Sequence, residues 1–456
     1  MDLDVVHKDL LIACAEVREA NAADAISGAG ATSEAGVGTA LVALPGSTEE
    51  AAAVMRVAAE HELAVVVRGT GSRLSWGIPA SRCDLVIDMS RLTGVVEHAA
   101  GDLVARVRAG TRMGDVAAVL AQAGQEIALD VPADATVGGI IASGLAGSRR
   151  LRYGTPRDLL IGITIVRADG TVAKSGGKVV KNVAGYDLGK LFAGSAGTLG
   201  LITEATFRLH PLPAARAYVT AEYIAVSVAC DAVAAAANSP LVSSAVELSR
   251  AEPGGPIQVG VLLEGSVDGI EARSMRMADL LGTGEVSADQ PAWWPAAPRA
   301  GAGETLIRVS FWVSALARAL DAIEAGAAQS GVSPVIEGSA GAGVLYVRVA
   351  AGGQDGSIAH ARASTEAGSA NEPEREAAGT AAGAKAIAEF VAGLRRAVAG
   401  ERGAVVVLAA PAVVRAELAE LGGTYGTVPG LALMRAVKDQ FDPGHRLAPG
   451  RFPEAL

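Results

Sequence analysis

LAVVVRGTGSRLSWG, residues 63–77, runs from an apolar stretch through Arg68 into Gly69-Thr70-Gly71-Ser72. The apolar part is short, β-branched and bounded by glycines, which reads as a buried strand. Gly69 and Gly71 let the main chain turn sharply and come close to a ligand. Consecutive amides in such a turn form an anion-binding nest, and Thr70 and Ser72 add hydroxyl donors. A pyrophosphate suits this chemistry; taken alone, so does a plain tight turn. The dinucleotide-binding fingerprint does not suit it, because Leu74 stands where a third glycine is needed and SWGIP does not open a helix.

Two further glycine clusters follow. VPADATVGGIIASGLAGSRRLRYGTPRDLL, residues 131–160, sets five glycines and a proline turn in an apolar segment. Such a stretch is a poor helix or strand interior, and close packing against a flat ring system accounts for Gly138, Gly139, Gly144 and Gly147. Arg149, Arg150 and Arg152 can offset phosphate charge or simply form a solvated surface. GGKVVKNVAGYDLGKLFAGSAGTLGLITEATFRLHP, residues 176–211, carries a third glycine turn that runs into a buried strand.

Around these clusters, residues 39–213 alternate strands and helices. Ser47 and Glu50 form a capping box ahead of AAAVMRVAAEHE. LIGITIVRADGTVAKSG reads as a hairpin turning at Ala168-Asp169-Gly170. Residues 1–38 read as a helix (Val6, Leu10, Ala13 or Cys14, Val17) and a loop. From 214 to 456, YVTAEYIA, AVELSR, IQVGVLLEG, TLIRVSFWV, GVLYVRVA and AVVVLAAP read as strands. Ala-rich helices lie near 227–237, 268–281, 314–330 and 384–400. Residues 351–383 have no apolar periodicity and read as a disordered insertion.

Three glycine clusters in this order, with the tail DQFDPGHRLAPGRF, resemble the vanillyl-alcohol-oxidase or PCMH-type FAD-binding oxidoreductases over 39–213. KVVKNVAGYDLGKLFAGSAGTLG is similar to the E-type FAD-binding subunits of glycolate oxidase. The resemblance implies an α+β fold: a two-subdomain FAD-binding domain over 39–213, then an α+β substrate or cap domain over 214–456 on a largely antiparallel sheet. It also implies that segment 431–453 returns towards the flavin domain.

It implies that FAD pyrophosphate lies on Arg68, Gly69, Thr70, Gly71 and Ser72, with Trp76 and Gly77 beside it. Pro132, Thr136, Val137, Gly138 and Gly139 would follow the flavin and ribityl chain. Ser143, Gly144, Gly147, Tyr153 and Gly154 match further cofactor contacts, and Gly197, Thr198, Gly200 and Ile202 meet it through backbone groups. Covalent members often carry His in the first loop, where this chain has Ser72, and Cys83 lies outside the matching motifs, so non-covalent FAD is expected.

The chemistry implied is hydride transfer from a small 2-hydroxy acid to flavin N5, with a cation on the substrate carboxylate. The sequence names neither the catalytic base nor that cation. The histidine-rich metal signature of related D-2-hydroxyacid dehydrogenases is missing. His7, His61, His98, His210, His360 and His445 are dispersed, and no metal site is expected. His445, after Asp442-Pro443-Gly444, invites a catalytic reading but reads first as a polar turn residue, and His210 reads as a strand end; Lys438 and Arg451, in the segment that the resemblance returns to the flavin domain, read as helix-surface and turn residues, with contact to substrate or cofactor as the alternative.

At 456 residues, two domains are the natural division. The apolar half is mostly Ala, Gly and Val, which glycine loops and a compositional bias explain equally. A net charge of −10 offers no basic footprint for nucleic acid. Cys14, Cys83 and Cys230 are isolated, which argues for a reducing compartment. They also fall short of the roughly four thiolates that an iron–sulfur cluster needs. An acidic N-terminus and no apolar run of about 20 residues fit a cytoplasmic chain, or one held peripherally on the inner face of a membrane by a partner. Three readings of function stand at this point. The chain is the FAD subunit of a glycolate oxidase complex, beside a larger FAD subunit and an iron–sulfur subunit. Or it is a stand-alone FAD-linked oxidase or dehydrogenase of another hydroxy acid or alditol. Or it is a flavin-containing assembly subunit without its own turnover.

Overall fold

The computed structural model describes residues 3–21, 24, 41–178, 186–295, 297–350, 381–400, 403–451 and 453. Residues 25–38, 179–185 and 351–380 lie outside these. So do most of the expected N-terminal loop, part of the third glycine cluster and nearly all of the expected insertion. The last three residues of that insertion, 381–383, open the helix Ala381–Ala399 instead.

The apolar run ahead of the first glycine loop forms the edge strand Val65–Arg68 of a four-stranded sheet. It pairs in parallel with Leu85–Asp88, which pairs in parallel with Leu41–Ala43. Val17–Glu19 joins antiparallel on the far side. The N-terminal helix therefore stops at Ala13, and Val17 starts a strand where helical periodicity was expected to continue. The helix Thr48–Glu60 buries Ala51, Met55 and Ala58, the i, i+4, i+7 stripe of an amphipathic helix. Ser47 Oγ accepts from Glu50 N, but the Glu50 carboxylate reaches back to Gly46 N at 2.8 Å rather than to Ser47.

A second, antiparallel sheet of five strands runs Val95–Ala99, Val104–Arg108, Leu201–Arg208, Leu160–Val166, Val172–Gly176. The last two are the expected hairpin. One apolar core joins both sheets, from Val6 to Leu209, and takes in Leu447 from the C-terminus.

Among the described residues between 215 and 409, eight strands build one antiparallel sheet. Its spatial order is Glu285–Ser287, Ala215–Tyr223, Ile257–Gly265, Ala245–Arg250, Val335–Gly338, Val344–Ala350, Glu304–Ser310, Ala404–Ala409. The helices Val226–Asn238, Leu316–Ser330 and Ala381–Ala399 cover one face, with Val233, Leu320, Ile323, Phe390 and Val391 in a second core. The other face turns towards the first two sheets: Leu306, Tyr346 and Leu408 pack with Trp76, and Tyr218 and Leu262 with Trp294.

The chain then returns. After the helix Leu431–Phe441, Leu447 bridges in parallel to Val65, and Ala448 N donates to Val65 O at 2.8 Å. The C-terminus thus extends the sheet that carries the first glycine loop.

Candidate functional site

A groove of about 430 Å³ lies between these two halves. The first glycine loop forms one wall. Gly69, Thr70, Gly71, Ser72, Trp76 and Gly77 all line it. A Cβ on Gly69 would collide with Thr136 Oγ1, so the two glycine motifs can meet only because position 69 has no side chain. Gly77 has φ +73°, and a Cβ there would lie 2.5 Å from the Tyr425 hydroxyl. Trp76 carries the Arg73 guanidinium 5.3 Å above its ring.

The second cluster is a short helix, Val137–Ser143, where a glycine-rich non-helical packing segment was expected. Thr136 caps it by accepting from Gly139 N at 3.2 Å. Thr136, Gly138, Gly139, Ser143 and Gly144 line the groove at this helix, and Gly197, Gly200 and Ile202 line it from the third cluster.

Seven expected residues lie elsewhere. Arg68 is spent on Asp88 at 2.7 Å and Asp24 at 2.8 Å. Val137 is in the core at 0% exposure. Pro132 and Gly147 border a second cavity of about 430 Å³, with Gly147 against the Asp130 backbone. Tyr153 donates to Glu264 at 3.1 Å and stacks edge-on against His210, and Gly154 lies against Asp158. Thr198 is 0% exposed, with its hydroxyl on Ser195 O and its carbonyl taken by Lys438.

Arg149 is neither a phosphate ligand nor surface. It is 5% exposed and meets Glu126 at 2.7 Å, Asp130 at 2.8 Å and Glu264 at 3.3 Å, holding the two halves together. Those carboxylates, together with hydrogen bonding to Glu126, outweigh burial and raise its already high pKa. Lys438, expected on a helix surface, is fully buried. Arg451, expected in a turn, borders the groove.

Residues that the sequence did not single out complete the site. Arg308 projects from the strand Glu304–Ser310, on the same face as Leu306, and its Nε has no hydrogen-bond partner. Tyr425 stands beside it, with its hydroxyl 3.4 Å from Arg451 O; burial pushes its pKa up, so the phenol keeps its proton. Among the described lining residues there is no Asp, Glu, His, Lys or Cys, while Arg73, Arg157, Arg308 and Arg451 are all present. In a chain of net charge −10, this wall selects for anions. One signal for Arg308 was available: a guanidinium inside the otherwise apolar TLIRVS strand, at a position that alternation sends away from the helix-covered face.

Glycine amides, hydroxyls and uncompensated guanidinium groups around an apolar trough fit a long, doubly charged cofactor with a flat ring. Residues 39–176 match the family model described as FAD binding domain. Glycolate oxidase subunit GlcD of Bacillus subtilis is 32% identical over 212 residues, 45% of this chain and 44% of that protein. Glycolate oxidase subunit GlcE of Escherichia coli is 38% identical over 154 residues, 33% of this chain and 43% of that protein. The matched stretch thus spans less than half of these relatives. p-Cresol methylhydroxylase, solved with substrate bound, superposes with a TM-score of 0.71 at 15% identity over 98% of this chain and 96% of its own, so the two share a fold.

Proposed function

We propose that this chain is an FAD-dependent oxidoreductase subunit of the glycolate oxidase type, holding FAD non-covalently and acting on a small 2-hydroxy acid. The observation that carries this is the groove itself, with four guanidinium groups and no acidic side chain among the described lining residues. FAD held there would supply the electron-accepting chemistry for oxidising the 2-hydroxy acid at its α-carbon, with the hydroxyl proton leaving to solvent or to a partner subunit.

The chain's residues divide the remaining work. The turn 69–72 offers its amides and hydroxyls to the pyrophosphate. Thr136, Gly138 and Gly139, at the mouth of the capped helix, lie along the cofactor. Arg308 holds the substrate carboxylate from the opposite wall, beside the protonated phenol of Tyr425. Trp76 and Leu306, packed together across the two halves, exclude water.

A second reading rests on the same wall. At neutral pH no described lining residue can take the substrate's hydroxyl proton, since the ionisable ones are arginines and a tyrosine with a raised pKa. That favours an assembly role in which a larger FAD subunit carries turnover and an iron–sulfur subunit takes the electrons. Cys14 and Cys83 are buried and far apart in sequence, so the cluster would belong to the partner.

The test is the visible flavin band of the purified chain before and after glycolate or D-lactate. Bleaching by the isolated chain supports independent turnover. Bleaching only after the partner subunits are added supports the assembly role. A chain purified from FAD-replete cells without any flavin band would overturn both readings.

A further inference from the structure

Among the described residues three arginines are buried: Arg149, Arg250 and Arg451. Arg149 meets three carboxylates and Arg250 meets Glu324. Arg451, 5% exposed, meets none. Its Nη1 donates to Leu74 O at 2.7 Å, and its Nη2 to Arg73 O and Trp76 O at 3.0 Å each. Its Nε is buried without a partner. Burial without a counter-charge is costly, and it pulls this guanidinium below its ordinary pKa.

The chain nevertheless fixes Arg451 in place. Ser81 N donates to Pro449 O at 2.8 Å, Ala448 N donates to Val65 O at 2.8 Å, and the Tyr425 hydroxyl lies on Arg451 O. Three loop carbonyls converge on one cation, and Gly69 to Ser72 of the same loop line the groove that Arg451 borders.

We propose that Arg451 is the buried counter-charge of the phosphate-facing loop. Its donors hold it to the carbonyls of residues 73, 74 and 76, beside the turn 69–72 that lines the groove. Its unpaired charge then adds to that of the turn's amides and is answered only when the FAD pyrophosphate arrives. The inference rests on the reading that residues 69–72 take that pyrophosphate.

The experiment uses the full chain stripped of FAD, with Arg451→Gln, which keeps a donor and removes the charge, and Arg451→Lys, which keeps the charge. FAD affinity is titrated at two salt concentrations, and hydrogen exchange is read on the amides of 69–77 in the FAD-free protein. Arg451→Gln is expected to bind FAD on the order of tenfold to a hundredfold more weakly. It should also bind with a shallower salt dependence, while exchange in the loop stays as in the wild type. Arg451→Lys should stay within a few-fold of wild type. Equal losses in both variants, or a loss in Arg451→Gln that tracks loop opening, would leave Arg451 a merely structural residue and overturn the proposal. If Arg451→Gln does not fold, Arg451→Lys decides: near-wild-type affinity supports the proposal, and a tenfold loss overturns it. A wild-type FAD affinity indifferent to salt would instead fault the phosphate reading of the loop.

Discussion

Lys438 donates to the Asp442 carboxylate at 2.6 Å, and neither side chain reaches solvent. Its two other donors go to Thr198 O at 2.8 Å and Leu447 O at 3.0 Å, while Asp442 also accepts from the amides of Leu447 and Arg446. One ammonium thus ties the C-terminal helix, the returning C-terminal segment and the third glycine cluster together. A buried pair is no stability gain over an apolar core, but removing one partner strands a charge. Lys438→Met should therefore lower unfolding free energy by about 3–5 kcal/mol in urea titration. A change below about 1 kcal/mol would mean that Asp442 is satisfied by its amides alone.

That pair also shows where sequence reading ends. The glycine clusters and the apolar strands were legible because each is local: a strand of β-branched residues stopped by glycine needs no knowledge of the rest of the chain. Lys438 was not, because a lysine in a helix reads as surface unless its acceptors are known, and Thr198 is distant in sequence. Arg149 failed for the same reason, its partners coming from two other segments, Glu126 and Asp130 from one and Glu264 from the far half. The strand Val95–Ala99 was missed because it is half-exposed along its length and shows no apolar run. The helix Val137–Ser143 was misread because its two glycines sit in the first turn beside a threonine cap, where they cost less than in a helix interior.

Gly69→Ala tests the meeting of the first two glycine motifs. The new methyl would drive Thr136 out of its place, and Thr136 caps the helix that lines the groove. Loss of that cap alone costs about 1 kcal/mol. The expected result is a folded protein that purifies with little flavin, read from the ratio of visible to ultraviolet absorbance. Full flavin content would show that the loop and the helix can part without affecting the cofactor.

Glu247 predicts a pH dependence of stability. It lies in the strand Ala245–Arg250 with 1% exposure, and its Oε1 has no partner. Burial raises its pKa from 4.5 to about 8. Below the lower value the carboxyl is protonated in both the folded and the unfolded chain. Between the two values the unfolded chain ionises while the folded one holds its proton, so stability falls as pH rises, by about 1.4 kcal/mol per unit at most. Above the upper value the loss is complete. Glu247→Gln, neutral throughout, should be more stable than wild type near pH 8 and close to it near pH 4.5. Parallel stability curves for the two proteins across that window would mean that Glu247 is charged in the folded state.

Arg308 carries the substrate side of the proposed function. In the sheet it sits opposite Tyr346 on one neighbour and Val406 on the other, both strands of the face turned to the flavin half. Among the described residues it meets no carboxylate, and its Nε is unpaired, which leaves its charge to a substrate carboxylate. In a preparation that turns over, alone or with partner subunits, Arg308→Met should raise KM for glycolate or D-lactate on the order of tenfold to a hundredfold. Flavin content should be unchanged, because Arg308 faces the groove from the wall opposite the glycine loop. Arg308→Lys should recover part of the loss, since a point charge replaces a planar fork. If Arg308→Met lowers flavin content and leaves KM alone, the guanidinium serves the cofactor rather than the substrate. The carboxylate would then have to be sought at Arg73 or Arg157, the cations of the wall besides Arg308 and Arg451.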